Sequence, residues 1–239
     1  MHVQESLDSL DTVSQGVLLS SHCLDRNTEA MFSLWQHVFS SVHWQDTARL
    51  ATLLRMSATS ATNGLAGSGH RYAMAAAASS LSPAAALSEQ FSGMTHLNLL
   101  NKLSQEDVGG LVQKLRRIAG LVLNKGGMRV ALNTSQPDQF SRATESFLAG
   151  LERVEGAGAS LGTLEGGHFQ AESLSQHYIT PFPINFTSMA VPTVPYTHPD
   201  HTALKVLSAL LSSKFLHSEI REKGGAYGGG ATAGSGRTN

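Results

Sequence analysis

The 239 residues carry 17 Lys plus Arg against 18 Asp plus Glu, with 41% hydrophobic and 15% charged side chains. That balance excludes a disordered polyelectrolyte, and a formal net charge of -1 gives none of the basic field that draws nucleic acid. No apolar run approaches the roughly 18 residues of a membrane-spanning helix, and the lone Cys23 excludes an internal disulfide.

The N-terminal MHVQESLDSLDT holds Glu5, Asp8 and Asp11 with no Arg before Arg26, the reverse of a basic targeting segment, so no targeting signal is read here. Residues 13–24 predict a strand, with Cys23 as a small buried hydrophobe in it. Asp25, Asn27 and Thr28 offer capping side chains to a following helix. Its Met31, Leu34, Trp35, Val38, Phe39 and Val42 recur at three- and four-residue spacing, which predicts one apolar face packed on a sheet. A second helix is expected from Asp46 to a stop at Asn63-Gly64, followed by an alanine-rich stretch and by helical pieces broken at Pro83 and Gly93.

Residues 105–123 read as a helix weakened by Gly109-Gly110. MRVALNT (128–134) reads as a short strand, and Pro137 as the opening of a further helix. Strand, helices, strand, helix predicts an α+β layered domain over residues 1–152. The glycine-rich stretch at 153–172 is the candidate linker to a second unit, 173–239. There HYITPFPINFTSMAVPTVPYT reads as proline-interrupted extended chain. A helix from Asp200 to Lys223 is expected to bury Leu204, Leu207, Leu211 and Phe215. So short a strand-and-helix unit leaves a sheet edge and a helix face open, and a truncated second domain is expected.

That last helix runs into IREKGGAYGGGATA, residues 220–233. A P-loop needs its lysine after the glycines, whereas Lys223 precedes them, and a dinucleotide fingerprint must follow a strand rather than a helix. Gly224 and Gly225 read as a helix end, with Gly224 in the left-handed position. Gly228, Gly229 and Gly230 remain; successive glycines in an extended segment suit close approach by another backbone, with a peptide as the natural ligand. His198 and His201 flank Asp200 at a helix start, but the pattern is read as an acidic first turn with surface histidines. The sequence contains neither H-E-x-x-H nor H-x-x-E-H.

REKGGAYGGGA (221–231), with SSHCLDRN (20–27), PFPIN (181–185), VPYTHPDH (194–201) and KFLHSEI (214–220), resembles the C-terminal half of the pitrilysin-type, inverted-motif zinc metallopeptidases. The resemblance covers most of residues 10–231 and points to the peptide-degrading organellar branch of that family. It implies two-layer α+β domains of the pitrilysin-type fold, here most of a third domain and the start of a fourth. By the same resemblance Arg221 and Tyr227 are catalytic residues that touch a bound peptide, and Gly224, Gly225, Ala226, Gly228 and Gly229 line the substrate. Zinc is implied for the full-length enzyme and none for this chain. The implied partners are peptide substrates and the N-terminal half of the same enzyme, and the implied compartment is the mitochondrial matrix. On these terms the chain alone is expected to be inactive; the alternative is a non-catalytic binding or scaffold piece.

Overall fold

A computed structural model describes residues 1–9, 11–126, 128–151, 164–165 and 169–234. It is mixed α and β, dominated by helices. Strands β1 (His2–Glu5), β2 (Thr12–Gly16) and β3 (Leu164–Glu165) form one sheet in that order, with β2 antiparallel to β3 in the register Thr12 to Glu165. The helices are α1 (Thr28–Ser40), α2 (Thr47–Ala78), α3 (Pro83–Ser92), α4 (Met94–Leu103), α5 (Gly109–Val122), α6 (Pro137–Ala149) and α7 (Asp200–Leu210). A π-helical segment, Leu211–Lys223, continues α7 directly. Packing groups the chain into two compact units. One comprises Met1–His2, Gly16–Gly64 and Leu97–Gly162; the other comprises Val3–Gln15, Leu65–His96 and Thr163–Asn239. The linker read at 153–172 lies largely outside the described residues.

The first unit is held by aromatic packing between α1 and α6. Phe32 and Phe39 lie seven residues apart on one helix, as do Phe140 and Phe147 on the other, so each pair shares a face. The rings meet edge-on at 6.3 Å (Phe32–Phe140) and 5.4 Å (Phe39–Phe147), an arrangement favoured by the ring quadrupoles. The face of α1 used here is therefore Phe32, Trp35 and Phe39, and its partner is a helix rather than the expected sheet; Leu34, Val38 and Val42 stay exposed. Polar ties reinforce the pairing: Gln36 Nε2 donates to the Gly150 carbonyl, and Gln139 Nε2 to that of Asp25. The fully buried Thr28 donates its hydroxyl to the Asp25 carbonyl at 2.7 Å.

Several expectations fail for local reasons. Beyond Gly16 the predicted first strand has no ladder partner among the described residues, and Cys23 is half-buried in irregular chain. Residues 128–134 form no strand, and Val130 and Leu132 are exposed. Asn63-Gly64 does not stop α2, because a helix tolerates an interior glycine at a cost of about 1 kcal/mol. The break comes instead at Ser68 (φ -130°, ψ 18°). Gly109 and Gly110 open α5 rather than weakening its middle.

In the second unit β1 and β2 are joined by a turn in which Ser6 N–H donates to the Thr12 carbonyl at 2.8 Å, and Val13 is fully buried. Phe186 packs so closely on Gly69 that a side chain at 69 would overlap its ring. Ser80 and Glu172 exchange two hydrogen bonds, at 2.8 and 3.2 Å, and Thr197 donates twice to the Leu7 carbonyl. These ties hold the extended, proline-rich residues 169–199. Ser82 caps α3 by accepting from Ala85 N–H at 3.2 Å, with Pro83 in the first helical position. The buried Glu89 carboxylate reaches past Gly93 to accept from Thr95 N–H at 2.9 Å, so it caps α4 from within α3.

Glu5, at the end of β1, is buried with Oε2 lacking a hydrogen-bond partner among the described residues. Burial pushes its carboxyl above the ordinary carboxylate value, and a hydrogen bond with Ser82 pulls it back in part. A raised native value means that the folded chain holds the proton more tightly. The stabilisation is thus full below about 4.5, the ordinary glutamate value, and is lost as pH rises through the native value. Glu5→Gln is therefore expected to raise Tm at pH 7 and leave it nearly unchanged at pH 4. Thermal unfolding at the two pH values checks this; an equal change at both would show that charge burial is not the cause.

Candidate functional site

The candidate residues stand where the π segment ends. Its last turn closes over Gly224, whose N–H donates to the Glu219 carbonyl five residues back at 3.0 Å. Gly225 N–H donates to Arg221 and Ala226 N–H to Ile220, each 3.1 Å away. A left-handed glycine cap ordinarily closes with spacings of three and five residues; here they are four and six, as the wider winding requires. Gly225, at φ +67°, takes the left-handed position expected of Gly224, which stays right-handed at φ -83°. Gly224 is needed for a different reason: a Cβ there would lie 2.7 Å from the Ile220 carbonyl oxygen.

After the turn the chain folds back along its own helix. The backbone at Gly229 lies against Ile220, where a Cβ would come within 2.8 Å of its side chain. Ala231 is bonded to Ser212, which donates to the Ala231 carbonyl at 3.0 Å and accepts from its N–H at 2.8 Å. Gly228 has open space where a side chain would project. The turn thus accounts for Gly224, Gly225 and Gly229 by intramolecular contacts, but not for Gly228. Sequence reasoning missed Ser212 and Ile220. The only signal for Ser212 was a Ser-Ser pair inside a helix, where serine is a mediocre former.

Tyr227 is 99% exposed, and its hydroxyl has no partner among the described residues. Arg221 is exposed, again without a hydrogen-bond or ion-pair partner among them. The nearby carboxylates are otherwise engaged: Glu219 pairs with Lys223, and Glu222 lies 3.4 Å from His217 Nδ1. A guanidinium with five fixed donors and a phenol with one therefore face outward on either side of a rigid glycine turn, a donor set suited to carbonyl oxygens.

The helix leading to the turn departs from expectation. Leu207 and Leu211 are exposed, Phe215 is 57% exposed, and only Leu204 of the four is half-buried. Among the described residues no sheet face covers this stripe. At the start of α7, His201 is buried rather than on the surface. Its ring lies 4.9 Å from that of Tyr196, and its Nε2 is unpartnered among the described residues. The described residues bring together no group of three His, Cys, Asp or Glu side chains that could hold a metal ion, and none of their helices is long and apolar enough to cross a membrane.

Two family models match the chain. One describes the region associated with subfamily C of the M16 peptidases and covers residues 1–103; the other, described as "Peptidase M16 inactive domain", covers residues 135–238. The chain belongs to the M16 peptidase family. More particularly, it is similar to mitochondrial presequence proteases. It is 38% identical to that of Xenopus laevis over 257 residues, covering 96% of this chain and 25% of the relative. For Danio rerio the figures are 39% over 252 residues, 96% and 24%. For Schizosaccharomyces pombe they are 34% over 220 residues, 90% and 22%. The chain spans about a quarter of the length of the curated relatives it matches. The resemblance carried by REKGGAYGGGA and its companion segments therefore holds.

Proposed function

We propose that this chain is the peptide-gripping portion of a zinc metalloendopeptidase that degrades unstructured peptides, such as cleaved presequences, in the mitochondrial matrix. In this reading Arg221 and Tyr227 donate to backbone carbonyls of an extended peptide, and the Tyr227 hydroxyl meets the reacting carbonyl oxygen as it gains negative charge. Gly224, Gly225, Ala226, Gly228 and Gly229 form a wall of bare backbone along which the peptide lies as an added strand. The domains are two-layer, divided at 153–172, and the second is incomplete in this chain.

One observation carries the reading. Arg221 and Tyr227 stand on a capped helix end without partners among the described residues, beside Gly228, whose missing side chain the chain's own packing does not require. The described residues do not fit a zinc ion, for no three ligands among them converge. The reading therefore assigns the metal and the general base to an N-terminal half bearing H-x-x-E-H, and to this chain only the donors.

The purified chain is expected to bind no stoichiometric zinc and to leave a fluorogenic peptide intact. Co-expressed with the N-terminal half of a related presequence protease, it is expected to give cleavage that a chelator abolishes. Zinc-dependent cleavage by the chain alone would defeat the assignment. A second reading, a non-catalytic binding piece, is favoured by the description of the 135–238 match as an inactive domain. Association with the N-terminal half without cleavage would establish that reading instead.

A further inference from the structure

Ser212 occupies the second position of the π segment, fifteen residues before Tyr227 in sequence, yet it is bonded to the strand that carries Tyr227. Its Oγ accepts from Ala231 N–H at 2.8 Å. Its single proton is shared between the Ala231 carbonyl, at 3.0 Å, and the Ser208 carbonyl one turn back, at 2.9 Å. One hydroxyl thus occupies both backbone groups of Ala231. The neighbouring Ser213 bonds only within its own helix, to the Ala209 and Leu210 carbonyls.

The tether matters because the intervening residues are glycines. From Gly228 to Gly230 no side chain anchors the backbone, and three consecutive glycines have the greatest conformational freedom a chain can have. Tyr227 is therefore held from one side by the helix cap at Gly225 and from the other by whatever fixes Ala231. The contact of Ile220 with Gly229 is apolar and non-directional, whereas the pair of bonds to Ser212 fixes both distance and orientation. Since Arg221 rides on the same helix as Ser212, the tether sets the separation of the two donors.

We infer that Ser212 is a positioning residue, which fixes the Tyr227 hydroxyl relative to Arg221 by locking Ala231 to the helix. The inference rests on the function proposed above for Arg221 and Tyr227. Losing one such hydrogen bond costs a factor of about 2–10 in an equilibrium. In the assembled enzyme, formed with the N-terminal half, Ser212→Ala is expected to lower kcat by about tenfold with KM moving less than about twofold. Ser212→Thr keeps the hydroxyl and should restore most of the rate, and Ser213→Ala should leave it unchanged. Combined with Tyr227→Phe, Ser212→Ala should add less than about a further twofold loss, since it acts through the group already removed.

Full multiplication of the two losses would overturn the inference, as would a silent Ser212→Ala in an enzyme that Tyr227→Phe disables. A silent Tyr227→Phe would instead sink the proposed function, and with it any role of the tether in turnover. Amide hydrogen exchange of the 239-residue chain separates these failures, because it needs no activity. Ser212→Ala should speed exchange at Ala231 by about 2–10-fold, and Ser212→Thr should not. Equal exchange in parent and Ser212→Ala chains would show that the tether itself is absent.

Discussion

Tyr227→Phe in the assembled enzyme is expected to lower kcat by about 10²–10³ while the KM for peptide changes little. The substitution removes one hydroxyl and nothing else. Because Tyr227 is 99% exposed and its hydroxyl bonds to no described residue, the folded chain loses no internal contact seen among those residues. Melting temperature should therefore match the parent, which separates a chemical effect from a structural one. A donor that tightens only as the carbonyl oxygen gains charge affects the transition state more than the bound peptide, so the loss falls on kcat. Steady-state kinetics on a peptide substrate check this. A similar loss from an exposed residue far from the turn, such as Leu34→Ala, would remove the role assigned to Tyr227.

Phe147→Ala is expected to cost about 3–5 kcal/mol, the usual range for deleting a buried aromatic ring. Phe147 is 9% exposed and meets both Phe32 and Phe39, at 6.0 and 5.4 Å, so its removal opens a void that α1 cannot close without losing both contacts. For a chain of this size the corresponding fall in Tm is roughly 6–20 °C. Phe215→Ala supplies the contrast. That ring is 57% exposed, and its loss should change stability by no more than about 0.5 kcal/mol. Calorimetry of the two variants checks the pair; equal destabilisation would mean that the α1–α6 contact is not the centre of its unit.

Where sequence and structure agree, a local rule and a long-range contact point the same way. Pro137 could only open a helix, and Phe140 and Phe147 fall on one face of it, so α6 was legible at both ends. Where they part, the deciding fact was a partner that periodicity does not name. The apolar residues of α1 allowed two faces, and the arrival of α6 chose the one with Phe32 and Phe39. The alternation in 128–134 promised a strand, but no ladder partner stands beside it among the described residues. At the site, the segment 221–231 was legible because its glycines, arginine and tyrosine sit together in sequence. Which glycine turns left-handed was not, since that depends on how widely the preceding helix is wound. Ser212 was hidden for the same reason: nineteen residues of chain must fold back before its partner at Ala231 comes into reach.

With the hydrogen bond that closes its final turn spanning five residues rather than four, Leu211–Lys223 sorts its charges unlike an ordinary helix. His217 and Glu222, five positions apart, become side-by-side neighbours, while Lys223 takes Glu219 at the usual spacing of four. Both acids at this end are spoken for, and among the described residues Arg221 is the cation left over. The pitch of the backbone thus decides which positive charge the surface keeps on offer, although no side chain in that choice differs from what an α-helix would carry.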